Sequence, residues 1–324
     1  METCHIHITD IFHPHGDPDD HYDLALAFAL HKAGLLHLWR VVMDYPPAHR
    51  VGDPALCAAA QLNEITGAGV IASVAPRDET VAGERLCAML REAPLPVSFT
   101  VVGSSESIAA AIRREPALFR QKCAGIWLAA GTGVETPGGI LEYNVRLHPS
   151  AYATVLTAPC PVYWAPCYHT ILTETGDSIT PERGGKYGSV YCIYQKELLE
   201  FLPDRMKNYF LYMLIRSTDP RYLRYLDYPV DAAALAEKGE EKRRLWSTPL
   251  LLHAAGVPCE TWAFEPVRVV CTPDGHVCWT PDPAENVHLF VRKDPCGVED
   301  TFSTAGAYKR EMLEKLQQYL QELR

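Results

Sequence analysis

The chain has 324 residues, of which 48% are hydrophobic and 22% are charged. This balance is typical of a globular protein with a sizeable core, and it excludes a disordered or collagen-like chain. Acidic residues outnumber basic ones by 40 to 30, and the one dense basic run, Lys242-Arg243-Arg244, is interpreted as an exposed helix face, so no nucleic-acid partner is expected.

Short apolar runs alternate with helical patterns through the first half of the chain. Strands are predicted at His5–Thr9, Leu36–Met43, Gly69–Val74, Val97–Val102, Gly125–Ala130 and Pro161–Ala165. Helices are predicted at Asp20–Ala33, Asp53–Thr66, Glu79–Arg91, Ser104–Arg114 and Pro149–Leu156. Strands that alternate with helices in this way are typical of βαβ units and a parallel sheet.

The second half has a different pattern. Helices are predicted at Leu198–Arg216, Asp231–Lys242, Thr248–Ala255 and Thr301–Leu323, and a strand at Val287–Arg292. The β runs Pro266–Cys271 and His276–Thr280 flank the turn signal Pro273-Asp274-Gly275, which predicts a hairpin. We expect one domain over residues 1–324 with an α/β fold: an open, mostly parallel sheet flanked by helices, with a C-terminal β-hairpin and a closing helix.

The cysteines and the N-terminus indicate the compartment. Eleven cysteines are scattered without a Cys-x-x-Cys pair, and the first residues lack the basic and apolar segments of a secretion signal. We therefore expect reduced thiols and a cytoplasmic protein. No apolar run reaches about 18 residues, so neither a membrane-spanning helix nor a membrane partner is expected.

Acidic residues cluster where the first predicted strand ends and the first helix begins. Asp10, Asp17, Asp19 and Asp20 fall within eleven residues. Ligands of open α/β sheets bind outside the carboxyl ends of the strands, and crowded carboxylates are unfavourable without a cation. Carboxylate oxygens suit Ca²⁺ or Mg²⁺. The alternative, capping of the helix, would explain Asp19 and Asp20 but not the other two.

Three further groups of polar residues lie on or after predicted strands. Asp44 follows the second strand and should lie beside the acidic cluster if the two strands are neighbours. Glu142 and Asn144 would point the same way if their segment is extended, which suits a polyol such as a sugar. His5 and His7 alternate on the first strand and could share a metal, as in a zinc amidohydrolase, or could be structural histidines.

Taken in order, these segments resemble the nucleoside hydrolase family, whose members cleave the N-glycosidic bond of nucleosides. The family signature Asp-x-Asp-Pro-Gly-x-Asp-Asp is similar to Thr9-Asp10, a lengthened loop, and then Asp19-Asp20. Val102–Ala109 resembles the family's strand-to-helix turn, and Glu142-Tyr143-Asn144-Val145 resembles its Glu-Phe-Asn-(Ile/Val) motif. The resemblance covers roughly residues 5–170 and extends more loosely to about residue 295.

The resemblance implies the family's fold with Ca²⁺ at the strand ends, where the ion holds the ribose hydroxyls and an activated water that attacks the anomeric carbon. Asp10 would be the general base. The implied metal ligands are Asp10, Asp20, the carbonyl of Val102 and Thr248. The implied substrate-binding residues are Asp19, Asp44, Thr136, Glu142 and Asn144. A homodimer or homotetramer that acts on a small nucleoside or N-riboside is also implied.

The chain departs from the family pattern late in the sequence. The family has His-Asp before a helix, whereas Ser247-Thr248 stand here. Thr248 offers only a neutral oxygen, and we hypothesise that Asp44 compensates for the missing charge. Ser247 is a poor acid, which leaves His13, His15, His21 or a late tyrosine to protonate the leaving base. The alternatives to a nucleoside hydrolase are a non-catalytic ribose- or nucleoside-binding protein and, second, a zinc amidohydrolase that uses His5 and His7.

Overall fold

The computed structural model describes residues 2–14, 19–45, 52–133, 140–168, 171–172, 178–179, 186–293 and 304–323. The strands in these ranges are β1 (Cys4–Thr9), β2 (Phe12–His13), β3 (Leu38–Met43), β4 (Asp53–Pro54), β5 (Ile71–Val74), β6 (Val97–Val101), β7 (Cys123–Ala129), β8 (Val162–Ala165), β9 (Ile171–Leu172), β10 (Ser178–Ile179), β11 (Tyr191–Tyr194), β12 (Lys242–Leu245), β13 (Trp262–Cys271), β14 (Val277–Pro281) and β15 (Val287–Arg292).

The helices in the same ranges are α1 (Asp19–Lys32), α2 (Leu56–Thr66), α3 (Glu79–Glu92), α4 (Glu106–Arg114), α5 (Pro116–Lys122), α6 (Tyr143–Leu147), α7 (Pro149–Leu156), α8 (Lys196–Leu199), α9 (Asp204–Leu214), α10 (Tyr222–Tyr225), α11 (Ala232–Gly239), α12 (Thr248–Ala254) and α13 (Ala307–Leu320). None of these helices is long and apolar enough to cross a membrane.

Nine of the strands form the central sheet, in the order β14-β13-β15-β8-β7-β6-β1-β3-β5. The neighbours from β15 to β5 run parallel, whereas β13 pairs antiparallel with both β14 and β15. This mostly parallel sheet, with its late hairpin and the helix α13 after it, confirms the predicted fold class. The two-stranded pairs β2–β4, β9–β10 and β11–β12 lie outside it and were not predicted.

The alternation of side chains along β1 separates the two faces of the sheet. Cys4, Ile6 and Ile8 pack into one apolar cluster, while His5, His7 and Thr9 point to the opposite face. Helix α1 lies on that opposite face together with α2, α12 and α13. It is buried from Asp20 to Leu30, which explains why its sequence is apolar on nearly all sides.

Three predicted helices differ from the structure. The predicted helix Leu198–Arg216 is two helices, α8 and α9, and Pro203 stands directly before the second. The helix that begins at Leu56 was predicted from Asp53, but Asp53 and Pro54 pair with β2 instead. The basic run at 242–244 belongs to β12, which pairs with β11, so its interpretation as a helix face was wrong.

Candidate functional site

The acidic residues lie at the carboxyl edge of the central sheet. Asp10 follows β1 directly, and Asp19 and Asp20 begin α1. Because β1 lies between β3 and β6, the residues that follow those two strands, Asp44 and Val102, end at the same edge. The backbone N–H of Asp44 donates to the carbonyl of Thr9 at 2.9 Å, which places it beside the acidic residues.

Asp20 is the most crowded of these carboxyl groups. It is buried, and burial is the largest cause that raises its pKa well above the usual range, followed by the negative charge of Asp10. The charge of Asp19, a hydrogen bond with Asp10 and the charge of Asp23 raise it further. Since all of these neighbouring charges are negative, a cation would relieve the repulsion.

Asp44 is a second buried carboxyl group at this edge. Its pKa is raised by burial, then by the charges of Asp10 and Glu106, and hydrogen bonds from Ser107 and Ser104 act in the opposite direction. The Ser107 hydroxyl donates to Oδ1 of Asp44 at 3.5 Å, while Oδ2 has no partner in the described part of the chain. Asp44 therefore has an acceptor oxygen available for a ligand.

Gly103 allows the end of β6 to approach Asp10. A Cβ atom at position 103 would lie 2.8 Å from Cβ and 2.9 Å from Cγ of Asp10, closer than side chains pack. Glycine is therefore required here to hold the Asp10 carboxyl group against the turn that follows β6.

Glu142 and Asn144 organise the adjacent strand ends, and their segment is the start of helix α6 rather than extended. Glu142 caps α6: its carboxylate accepts the backbone N–H groups of Asn144 at 3.1 Å, Val145 at 3.3 Å and Gly131 at 2.9 Å. The Asn144 amide donates to the carbonyls of Val102 at 3.0 Å and Ala129 at 3.2 Å. These bonds tie the loop after β7 and the end of β6 to α6.

Ser247 and Thr248 are both engaged inside the protein. The Thr248 hydroxyl is fully buried and lies 2.7 Å from the Tyr191 hydroxyl. Ser247 forms a hydrogen bond with Asp23, which lowers the pKa of that carboxyl group, but burial outweighs it and raises the pKa to about 7. The contact between Ser247 and Asp23 joins the start of α12 to α1, and the contact of Thr248 joins it to β11.

Sequence reasoning missed Asp23. It is 2% exposed, and its Oδ1 has no hydrogen-bond partner among the residues that the structure describes. The spacing of three residues from Asp20 could have revealed it, because such residues share one face of a helix.

His5 and His7 are bound by hydroxyl groups of β6. His5 contacts Ser98 at 2.8 Å and Thr100 at 2.9 Å, and His7 contacts Thr100 at 2.7 Å. Burial lowers the pKa of each histidine to about 3. Within the described ranges, no three His, Cys, Asp or Glu side chains are arranged to hold a metal ion, so no ligand set for a zinc amidohydrolase is found there.

His13 lies in the lengthened loop after β1. Its ring stacks on Tyr212 with centroids 4.9 Å apart, and its Nε2 lies 2.5 Å from the carbonyl of Ser217. Because a carbonyl only accepts, Nε2 carries the proton. His21 is buried within α1. The predicted residues Thr136, His15 and Asp17 lie outside the described residues.

The oxygen donors at this edge fit a hard cation such as Ca²⁺. Asp10 and Asp20 offer two carboxyl groups in contact, the Val102 carbonyl accepts the Asn144 amide, and the Thr248 hydroxyl pairs with that of Tyr191.

No protein-family model matches the chain, and no curated protein matches its sequence. Solved structures do match. The inosine-uridine preferring nucleoside hydrolase from Bacillus anthracis is 14% identical with a TM-score of 0.50, and the match covers 97% of this chain and 100% of that one. The plant nucleoside hydrolase PpNRh1 is 14% identical with a TM-score of 0.52, covering 98% of this chain and 99% of that one.

The type III effector protein XopQ, solved in complex with adenosine diphosphate ribose, is also similar. It is 14% identical with a TM-score of 0.52, and the match covers 99% of this chain and 95% of that one. At this identity the likeness concerns the fold alone. The chain therefore has a nucleoside-hydrolase-like fold, as the sequence predicted.

Proposed function

We propose that the protein hydrolyses the N-glycosidic bond of a nucleoside or a related N-riboside, with Ca²⁺ held at the carboxyl end of β1. The observation that carries this proposal is the contact between Asp10 and Asp20, two carboxyl groups that meet beside further negative charge. They lie where the family resemblance implies the metal, on a fold that known nucleoside hydrolases share.

The residues around this pair have distinct roles in the proposed reaction. Ca²⁺ would neutralise Asp10 and Asp20, bind ribose hydroxyls and make a water more acidic. Asp10, which is less buried than Asp20, accepts the proton of the attacking water on a carboxylate oxygen. Asp19 and the unpartnered Oδ2 of Asp44 accept hydrogen bonds from the ribose hydroxyls.

Protonation of the leaving group needs a residue other than Ser247 or Thr248, because both hydroxyls are hydrogen-bonded inside the protein. Of the histidines of the lengthened loop that could supply the proton, His13 is the one whose contacts the structure describes. Its Nε2 proton is held by the carbonyl of Ser217, so a proton would have to be delivered from Nδ1 of the imidazolium form. We propose His13 as the acid.

The test is calorimetric titration of Ca²⁺ into chelator-treated protein, followed by a screen of nucleosides for ribose release. Wild type should bind Ca²⁺ and release ribose, whereas Asp20→Asn should do neither. Asp53→Asn is the matched control, because Asp53 is exposed on β4 beside the lengthened loop. Failure of the wild type to bind Ca²⁺ would refute the metal-dependent mechanism.

A non-catalytic ribose- or nucleoside-binding protein is the second candidate. The observation that favours it is the engagement of Ser247 and Thr248 by Asp23 and Tyr191, which leaves no acid at the late family position. The structure of XopQ holds adenosine diphosphate ribose, so a riboside can occupy a similar fold. Ca²⁺ binding and riboside binding without any ribose release would favour this candidate.

A further inference from the structure

A cavity of about 450 Å³ lies between the C-terminal end of α9, helix α11 and the start of β12. Its volume falls within the range of small-molecule sites. Residues 213–215 form an apolar part of its lining, and the rest is lined by Arg216, Ala234 and charged residues between position 237 of α11 and position 243 of β12. A ligand with an apolar body and a charged group matches this division.

The charges around the cavity favour an anion. Three basic residues line it, Arg216, Lys238 and Arg243, against two acidic ones, Glu237 and Glu241. The local balance is therefore positive, although the whole chain carries −10. Lys238 is paired with Glu241 at 2.8 Å and with Glu237 at 3.2 Å.

Arg216 differs from the other two basic residues. It is exposed and makes no ion pair with any residue that the structure describes. A guanidinium group binds phosphate or carboxylate through two parallel hydrogen bonds, so a free arginine beside an apolar wall can recognise an organic anion.

The backbone of Arg216 is also strained. Its φ is 54°, and among the described residues it is the one non-glycine residue with positive φ. Such conformations persist where the surrounding structure imposes them, often at binding sites. The next residue, Ser217, holds His13 of the lengthened loop through its carbonyl. The strained turn thus connects the cavity with the loop that precedes Asp20.

We propose that this cavity binds a small organic anion, a phosphate monoester or a carboxylate, with its charged group on Arg216 and its apolar body against residues 213–215. The site is separate from the Asp10–Asp20 pair, and it does not depend on the proposed hydrolysis. Its occupant contacts the turn that anchors the lengthened loop.

Calorimetry with three probes that share one ring tests this proposal. Phenyl phosphate and benzoate represent the two kinds of anion, and phenol is the neutral control. We expect wild type to bind at least one anion and not phenol. Arg216→Gln should weaken that binding about ten-fold or more, because the charge-assisted contact is lost. Arg216→Lys should weaken it less, because lysine keeps the positive charge.

Control variants separate binding at Arg216 from binding elsewhere on the surface. Arg221→Gln removes an exposed arginine that pairs with Asp219 at 3.0 Å, and it should leave binding unchanged.

Arg216→Gly separates the backbone strain from anion binding. It should raise the unfolding temperature by relieving the strained φ, but it should no longer bind the anion. Asp20→Asn should bind the anion like wild type, which keeps the result independent of the hydrolase proposal. Equal binding by wild type and Arg216→Gln, or no preference for the anions over phenol, would overturn the proposal.

Discussion

Replacing Asp23 with asparagine should change how the stability of the metal-free protein depends on pH. Asp23 is 2% exposed, and burial raises its pKa from 3.8 to about 7. A raised pKa means that the fold favours the protonated carboxyl group. This contribution to stability is fully present below pH 3.8 and is lost as the pH rises through about 7.

The magnitude follows from the shift. The difference between 7 and 3.8 is about three pKa units, or roughly 4 kcal/mol in full. Most of this, about 3 kcal/mol, is lost between pH 5 and pH 8. Asp23→Asn is neutral throughout, so it should lack this loss and should be more stable than wild type at pH 8.

Urea unfolding of chelator-treated protein at several pH values between 5 and 8 measures the effect. Asp20 and Asp44 also titrate. The contribution of Asp44 cancels in the difference, because Asp23 is not among the charges that shift its pKa. Loss of the Asp23 charge also removes part of the rise in the Asp20 pKa, which lowers the pH dependence of the variant in the same direction. Asp204→Asn is the control, because the Asp204 side chain is 80% exposed. If Asp23→Asn and wild type lose stability in parallel between pH 5 and pH 8, the buried-carboxyl reasoning is refuted.

Three further substitutions test the candidate site. Gly103→Ala should weaken Ca²⁺ binding about ten-fold or more in calorimetry, because its Cβ would displace the carboxyl group of Asp10, the proposed charged ligand. Gly239→Ala, whose Cβ would meet Lys196 and none of the acidic residues, should leave Ca²⁺ binding unchanged. Glu142→Gln should lower the free energy of unfolding by about 1–3 kcal/mol in urea, since an amide nitrogen cannot accept the backbone N–H groups that the carboxylate binds. Asp44→Asn should reduce calcium affinity if this carboxylate replaces the missing late one, and an unchanged affinity would disprove that compensation.

Local patterns in the sequence determined the order of strands and helices and the place of the acidic cluster. The alternation of short apolar runs with helices predicted the parallel sheet, because strand and helix periods are read over a few residues. Pro273-Asp274-Gly275 predicted the hairpin of β13 and β14, and Gly275 indeed has a positive φ of 92°. Asp10 was found because it follows a predicted strand directly, and Asp19 and Asp20 because they lie at the start of the predicted helix after it.

Only the tertiary structure decided the contacts between distant segments. Asp23 meets Ser247, and β11 pairs with β12, although nothing in either segment indicates the other. The carboxylate of Glu142, which caps α6, also accepts the backbone N–H of Gly131 in the loop after β7. Local sequence specifies which conformation a segment prefers, whereas the partner of a buried polar group depends on which segments the folded chain brings together.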